Sequence, residues 1–205
     1  MKITLVDYGL GNQFSVIQAL KYLGYASEID IDGTLISQAE ILLIPGVAAF
    51  GKGMQNLKKR GQLDAIRQFS SKGRPVIGFC LGAQMLLRNS DEDVSTEGIS
   101  LVNGGVKLMN SEDCRVPNQG WHPLEIRNSS TFSGFQEKFF YFSHSYRMAL
   151  DNAATPGGQI TIGNESVNAF FFHENILAVQ FHPELSGNTG LEFMDTAIKT
   201  ANIWT

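Results

Sequence analysis

The sequence predicts an α/β fold: a mostly parallel central sheet flanked by helices on both faces, with an added antiparallel portion in the C-terminal half. Two observations support this prediction. Over the first ninety or so residues, short apolar runs alternate with stretches of helical period, which is typical of parallel strands joined by helices. The second half is richer in strand signals than in helical ones.

Each element rests on its local pattern. The first predicted helix places Phe14, Ile17, Ala19, Leu20 and Leu23 at helical spacing and closes at Gly24. Further helices are predicted at residues 53–69, at 81–88 and from Asn188 onward. Apolar runs predict strands at residues 3–6, 27–31, 40–44, 74–79, 139–142, 160–163, 169–172 and 176–181. Polar composition predicts loops at 89–97 and 110–118 and a turn at 153–158.

Composition limits the classes of function. The chain has 205 residues, 43% hydrophobic and 18% charged, with no linker or repeat, so one domain over residues 1–205 is expected. A formal net charge of −4 argues against nucleic acid or an anionic membrane as partner. The cysteine count of two, the absence of a signal-like start and the lack of a long apolar run predict a cytoplasmic protein.

The pentapeptide G-F-C-L-G at residues 78–82 is the strongest chemical signal. It follows an apolar strand and opens a helix, which is the setting of a nucleophile elbow with cysteine in place of serine. A helix N-terminus favours the thiolate form of Cys80. The alternative is a buried structural cysteine.

Two further segments supply partners for such a nucleophile. In Q-F-H-P-E at residues 180–184, His182 can move a proton and Glu184 can hold its tautomer, with the two side chains on one side of a strand end. The loop after the strand at 40–44 can donate the amide of Val47 to an oxyanion, together with the amide of Leu81. A satisfied histidine and a plain Pro-Gly turn remain the alternatives.

These segments together resemble the class I (triad-type) glutamine amidotransferases, and within them the glutaminase subunits of imidazole glycerol phosphate synthase. The resemblance extends over nearly the whole chain. It is carried by D-Y-G-L-G-N at 7–12 with Ser15 and Val16, by 45–51, by 78–84, by Y-F-S-H-S-Y at 141–146, and by 180–184 with Ser186. The fold it implies is flavodoxin- or Rossmann-like.

The resemblance implies a role for each matching residue. Cys80 would attack the side-chain amide of glutamine, His182 would serve as general acid and base, and Glu184 would orient it. The implied substrate-binding residues are Gly46, Gln84, Glu92, Ser145 and Tyr146, and the implied partner-facing residues are Asn12 and Trp121. Without the resemblance, Glu92 is equally a solvated loop acid and Tyr146 a strand-end aromatic.

The resemblance also implies a partner and no cofactor or metal. Released ammonia would be delivered to a (β/α)₈-barrel synthase subunit in a heterodimer, where it helps to form imidazole glycerol phosphate. Two alternatives stay open: a paralogous glutaminase supplying ammonia to amidinate a surface-polysaccharide sugar, and a non-catalytic regulatory subunit. A related cysteine peptidase or amidase is a third.

Two departures from the family pattern bear on these expectations. Ala48 stands where the family has the last glycine of P-G-V-G, which would cost about 1 kcal/mol if that residue needs a positive φ. We therefore expect low turnover in the isolated subunit. Residues 117–122 read P-N-Q-G-W-H where the family favours P-H-x-G-W-N, which leaves the identity of the partner least secure.

Three other signals are weaker. Gly9 and Gly11 suggest a dinucleotide fingerprint, but Phe14 occupies the place of the third glycine. His144 and His173 lack the short paired spacing of metal ligands. Cys114 lies in a charged loop and is interpreted as an incidental free thiol.

Overall fold

A computed structural model describes residues 1–110 and 115–201. In chain order the strands and helices are β1 (Ile3–Val6), α1 (Gln13–Tyr22), β2 (Ser27–Asp30), β3 (Ile41–Ile44), α2 (Phe50–Lys59), α3 (Gln62–Ser70), β4 (Val76–Phe79), α4 (Leu81–Met85), β5 (Asn89–Ser90), β6 (Gly104–Leu108), β7 (Asn118–Pro123), β8 (Glu125–Arg127), β9 (Phe139–His144), β10 (Tyr146–Leu150), β11 (Gly157–Ile162), β12 (Glu165–His173), β13 (Ile176–Val179) and α5 (Gly187–Lys199). Single turns of 3₁₀ helix cover Ile36–Gln38, Ser133–Phe135 and Pro183–Leu185.

The central sheet confirms the predicted fold class. Its strand order is β2-β1-β3-β4-β13-β12-β11-β8. The first five strands in this order, β2 to β13, pair in parallel. The remaining three, β12, β11 and β8, continue the sheet in antiparallel pairing. Two smaller sheets, β10-β6-β5 and β7-β9, lie outside it.

Helices cover both faces of this sheet, and alternation along each parallel strand divides the core in two. Ile3 and Leu5 of β1 pack on the side of α1 and α5, where Leu20 and Phe193 are fully buried. Leu42 of β3 faces the opposite side, against α2, α3 and α4. Every residue of β1, β3, β4 and β13 is buried, as expected for strands covered on both faces.

Several predicted boundaries are wrong. The helix expected over 53–69 is two helices, because Gly61 adopts a left-handed φ of 70° between them. The helix expected over 81–88 ends at Met85, and the loop expected over 89–97 begins with β5. The turn expected over 153–158 ends early because β11 begins at Gly157. Phe14 is exposed rather than part of the apolar face of α1.

Strands β6, β7, β8 and β10 were not predicted. Of the loop expected over 110–118, residues 111–114, including Cys114, lie outside the described residues, and Asn118 already belongs to β7. No helix in the described ranges is long and apolar enough to cross a membrane.

The topology brings three segments to one edge. Because β3, β4 and β13 run parallel and adjacent, their carboxyl ends meet at the same edge of the sheet. The loop 45–49, Cys80 and the segment 180–184 follow these three strands directly. The carboxyl edge of a parallel sheet is where open α/β folds place their ligands.

Candidate active site

Cys80 occupies a strained turn between β4 and α4. Its φ of 49° and ψ of −110° are rarely adopted by residues other than glycine. A Cβ on Gly78 would lie 2.7 Å from the backbone nitrogen of Ala83, and one on Gly82 would collide with the carbonyl oxygen of Ile44. The two glycines are therefore required by close backbone approach, as expected for a nucleophile elbow.

His182 and Glu184 meet through a hydrogen bond. The His182 Nδ1 lies 3.0 Å from Glu184 Oε1, and both side chains are buried. Strand alternation does not explain this pairing, because β13 ends at Val179 and a 3₁₀ turn over Pro183–Leu185 folds the carboxylate back toward the imidazole. The expected pairing thus forms, but by a different local structure.

Neighbouring side chains hold this turn in place. Ser186 Oγ donates a hydrogen bond to the His182 carbonyl at 2.7 Å and accepts one from the Tyr141 amide at 2.9 Å. Phe181 is fully buried, with its ring centroid 4.4 Å from that of Phe140 and 5.0 Å from that of Phe193. The packing and the hydrogen bonds fix the position of the imidazole.

The surroundings of His182 favour its protonated form. Burial lowers its pKa, but hydrogen bonds to Cys80 and Glu184 and the negative charges of both outweigh burial and raise the pKa to about 10. An imidazolium beside a cysteine is the state that can donate a proton to a leaving group. Because it hydrogen-bonds to both groups, the histidine lies within reach of the Cys80 sulfur and of the Glu184 carboxylate.

Two polar groups surround the Cys80 sulfur. The side-chain amide nitrogen of Gln180 lies 3.9 Å from Sγ, and the Ser143 carbonyl oxygen lies 4.0 Å from it. Gln84 Nε2 donates to Gln180 Oε1 at 3.1 Å and to the Tyr146 carbonyl at 3.0 Å. Gln84 therefore links the elbow to the strand on the opposite side of the site.

A cavity of about 320 Å³ opens beside the sulfur. It brings together eight of the residues predicted from the sequence: Val47, Cys80, Leu81, Gln84, Glu92, Ser145, Tyr146 and His182. Gly46 lies just outside the lining, where a Cβ would come within 2.9 Å of the Leu81 Cβ. Glu184 lies behind His182.

The cavity also has lining residues that sequence reasoning missed: Ala48, Pro117, Gln119, Ser143 and His144. All five lie within segments already singled out in the sequence, so adjacency to a motif was the available signal. The sequence marked Ala48 only as a departure from the family pattern. For the other four residues, which side chain faces the cavity depends on how distant segments pair.

Loop 45–49 lies across the elbow from His182. Leu81 is the first residue of α4, so its amide has no carbonyl partner within the helix and is available to an oxyanion. Val47 is half exposed. Among the described residues other than glycine, positive φ occurs at Cys80, Ser100, Asn128, Glu137 and Glu174. Ala48 is therefore unstrained in this conformation of the loop.

Glu92 is exposed and lies in a turn, but its carboxylate is held by a hydrogen bond. Its Oε2 accepts a hydrogen bond from the Phe50 amide at 2.7 Å, at the start of α2. Its own amide is held by Ser90 Oγ at 3.1 Å. A carboxylate at a helix N-terminus is a favourable arrangement, and it leaves Glu92 facing the cavity from the side opposite His182.

A second histidine lines the cavity in the neutral form. Burial lowers the pKa of His144 to about 4. Its Nδ1 lies 2.9 Å from the Tyr146 carbonyl and its Nε2 lies 3.1 Å from the Asn118 amide nitrogen, while Asn118 Oδ1 lies 2.8 Å from His122 Nε2. Relative to the family pattern P-H-x-G-W-N, this chain has Asn and His exchanged at positions 118 and 122, and these two side chains hydrogen-bond to each other.

The two predicted partner-facing residues do not line the cavity. Asn12 caps α1 by accepting the Ser15 amide at 3.3 Å. Trp121 is 52% exposed, with its ring centroid 5.9 Å from that of Tyr141. Within residues 1–110 and 115–201, no cluster of three or more His, Cys, Asp or Glu side chains could hold a metal ion.

Comparison with known proteins agrees with this geometry. The family model of glutamine amidotransferase class-I matches residues 4–198. The chain belongs to this family. It is therefore a glutamine amidotransferase, and the enzymes of this family use a cysteine nucleophile.

Three relatives similar to this amidotransferase carry the name imidazole glycerol phosphate synthase subunit HisH. The protein of Sulfurimonas denitrificans is 34% identical, with coverage of 98% of this chain and 99% of the relative. That of Listeria monocytogenes serotype 4b is 36% identical, with coverage of 94% and 92%. That of Symbiobacterium thermophilum is 37% identical, with coverage of 94% and 91%.

Solved structures share the fold. One described as a glutamine amidotransferase has a TM-score of 0.78 at 17% identity and covers 98% of this chain and 99% of its own. A chain from the structure of PurLQS from Thermotoga maritima has a TM-score of 0.74 at 17% identity, covering 97% of each. At these identities the likeness concerns the fold alone.

Proposed function

We propose that this amidotransferase is the glutaminase subunit of an imidazole glycerol phosphate synthase, in histidine biosynthesis. The observation that carries the proposal is the arrangement of Cys80, His182 and Glu184 beside one cavity, with the imidazole between sulfur and carboxylate. The identity of the synthase is taken from the name that the three relatives share. Their near-complete coverage of both chains supports carrying that name over.

The proposed reaction follows from this arrangement. Cys80 reacts as the thiolate paired with the His182 imidazolium, and its sulfur attacks the side-chain amide carbonyl of glutamine to give a tetrahedral oxyanion. The amides of Leu81 and Val47 stabilise that charge. The imidazolium then protonates the amide nitrogen, so that ammonia leaves and a γ-glutamyl thioester remains. The now neutral His182 takes a proton from the attacking water, whose oxygen adds to the thioester carbonyl. The C–S bond then breaks, which releases glutamate and restores the thiolate and the imidazolium.

Glu184 acts through His182 in this scheme. Its carboxylate fixes the tautomer by accepting from Nδ1, which aims Nε2 at the reacting atoms, and stabilises the imidazolium. A high His182 pKa suits the step in which the leaving nitrogen takes a proton. Glu184 is accordingly a positioning residue, whereas Cys80 and His182 are catalytic.

The cavity provides complementary groups for glutamine. The Glu92 carboxylate suits the substrate's α-ammonium group, and the backbone of Ser145 and Tyr146 can bind its polar atoms. Gln84, which bridges Tyr146 and Gln180, lies where it can contact the substrate or fix these two groups. Gly46 keeps a side chain away from the elbow.

A synthase subunit is the proposed partner, in the form of a (β/α)₈ barrel. Ammonia free in water is mostly the non-nucleophilic ammonium ion, so a sheltered transfer to the acceptor site is advantageous. Asn12 and Trp121, which lie outside the cavity, are proposed to face that partner. The geometry of the catalytic groups favours an active subunit over a regulatory one, and the relatives favour this acceptor over a sugar.

The experiment is co-purification with the cyclase subunit, followed by synthase assays with either glutamine or ammonium as nitrogen donor. Cys80→Ala should abolish the glutamine-dependent activity and retain the ammonium-dependent one, while Cys114→Ala, the matched control, retains both. Glutaminase turnover of the isolated chain should be low and rise when the synthase binds. Full glutamine-dependent activity of Cys80→Ala would overturn the proposal, and equal turnover with and without partner would overturn the predicted activation.

A further inference from the structure

Loop 45–49 is anchored by a side chain at each end. At its start, Tyr8 Oη donates a hydrogen bond to the Pro45 carbonyl at 2.7 Å. Just past its end, the Phe50 amide donates to Glu92 Oε2, also at 2.7 Å. Both bonds cross between parts of the chain that are distant in sequence. The peptide planes between these two anchors include the one that carries the Val47 amide.

Tyr8 itself is held firmly. It lies two residues after β1, its side chain is fully buried, and its own carbonyl accepts a hydrogen bond from Asn56 of α2 at 2.8 Å. The Tyr8 hydroxyl occupies the space that a Cβ on Gly46 would need. Burial raises the pKa of Tyr8 above its usual range, and the negative potential of the nearby Cys80 and Asp7 adds to the shift, so the phenol remains a hydrogen-bond donor.

We propose that Tyr8 is a positioning residue for the oxyanion hole, which it serves by fixing the Pro45 carbonyl. The inference rests on the proposed function of loop 45–49. The Pro45 carbonyl belongs to the peptide plane immediately before the one that presents the Val47 amide. Fixing the first plane limits the rotation of the second. Glu92 limits it from the other end while facing the substrate cavity, so the two anchors act on one short segment.

The key variant is Tyr8→Phe, which removes one hydroxyl and keeps the ring. We expect kcat for glutamine hydrolysis by the complex with its synthase subunit to fall by about tenfold to a hundredfold, since losing a whole oxyanion donor costs about 10²–10³. KM should stay within about twofold because the groups that bind glutamine are untouched. The rate at which iodoacetamide alkylates Cys80 should not change, because direct displacement at carbon needs no oxyanion hole.

Tyr25→Phe is the matched control. Its hydroxyl also donates a hydrogen bond of 2.7 Å, to Asp195 Oδ1, but on the α5 side of the sheet. We expect the control to keep kcat, KM and the alkylation rate of the wild type. If Tyr8→Phe fails to fold, Asn56→Ala replaces it, because that change releases the Tyr8 carbonyl without altering the ring. It should lower kcat in the same selective way by a smaller factor.

The outcomes separate this inference from the proposed function. A wild-type complex without glutaminase activity would overturn both. An active wild type with kcat of Tyr8→Phe equal to that of Tyr25→Phe would overturn the inference alone. A parallel loss of kcat and of iodoacetamide reactivity would also overturn it, because the hydroxyl would then support the elbow as a whole. The selective fall in kcat supports it.

Discussion

The candidate active-site cavity has two walls, each with a histidine, and the surroundings favour the protonated form of one imidazole and the neutral form of the other. On the nucleophile wall, formed by Cys80 and the segment 180–184, the pKa of His182 is about 10. On the opposite wall, formed by residues 143–146 at the ends of β9 and β10, the pKa of His144 is about 4. Burial lowers the pKa of both.

The hydrogen-bond partners account for the difference. His182 has the Cys80 sulfur and the Glu184 carboxylate as neighbours, and the negative charges of both favour a positive charge on the imidazole. His144 has an amide nitrogen and a backbone carbonyl, so no nearby negative charge offsets its desolvation. The nucleophile wall therefore favours a charged imidazole, whereas the opposite wall keeps its imidazole neutral.

The largest expected effect concerns the backbone of the nucleophile wall. Gly82→Ala should abolish glutaminase activity and lower the free energy of unfolding by about 3 kcal/mol or more, because the new Cβ collides with the Ile44 carbonyl. Urea denaturation and a glutaminase assay measure both effects. Gly134→Ala is the control, since a Cβ there meets open space. A stable, active Gly82→Ala protein would contradict the required close approach.

The next effect concerns the charge on His182. Glu184→Gln should lower kcat by about 10²–10⁴, because an amide no longer stabilises the imidazolium or fixes its tautomer. The same change should lower the pKa of His182, which NMR titration of the imidazole can follow. Glu192→Gln, which disrupts only an exposed ion pair with Lys138, should alter neither quantity. An unchanged His182 pKa would disprove the electrostatic explanation of the difference between the walls.

The pH dependence of stability tests the opposite wall. Since the folded pKa of His144 lies below its unfolded value of 6.5, the unfolded state binds the proton first as pH falls. Protonation of His144 should therefore lower the free energy of unfolding as pH falls below 6.5. The loss should approach about 3 kcal/mol below pH 4. His182 acts in the opposite sense, with a stabilising contribution present below pH 6.5 and lost as pH rises toward about 10.

The measurement is urea denaturation of wild type and His144→Asn at pH 7 and pH 4.5. The variant should be less stable at pH 7 because hydrogen bonds are lost, but its stability should fall less between the two pH values. If both proteins lose the same free energy of unfolding between pH 7 and pH 4.5, His144 does not titrate as described.

The smallest effect concerns the exchanged pair on the opposite wall. Asn118→His and His122→Asn should each cost about 1–2 kcal/mol of stability, because each leaves a polar group without its partner. The double exchange, which restores the family order, should recover most of that loss. A thermodynamic cycle from denaturant unfolding gives the coupling. Additive losses would mean that the Asn118–His122 hydrogen bond does not explain the departure.

The two walls also differ in how far the sequence predicts them. Strands β3, β4 and β13 are apolar runs, and the elbow glycines lie between a strand and a helix, so the nucleophile wall follows from local patterns. Cys80, His182 and Glu184 were predicted and lie together. The amide of Val47 as a second oxyanion donor stays a prediction.

The opposite wall depends on pairing between distant segments. Strand β6 begins with two glycines and has no apolar run, yet it pairs with β10 over five residues. Strand β7 is polar and pairs with β9, which brings Asn118 to His144. Such pairings leave little local signal, so His144 and Gln119 were missed. The break at Gly61 was missed because a single glycine does not end a helical pattern in the sequence.

Helix α2 gives these features a mechanical consequence. Ten residues of α-helix form a stiff rod about 15 Å long. The first turn of the rod is tied through Phe50 to Glu92, and its last turns hold the carbonyls of Tyr8 and Asp7 through Asn56 and Arg60. The turn after β1 and the cavity are thus connected through one short helix and three hydrogen bonds, so a shift of that turn would act on the cavity through α2 as a unit.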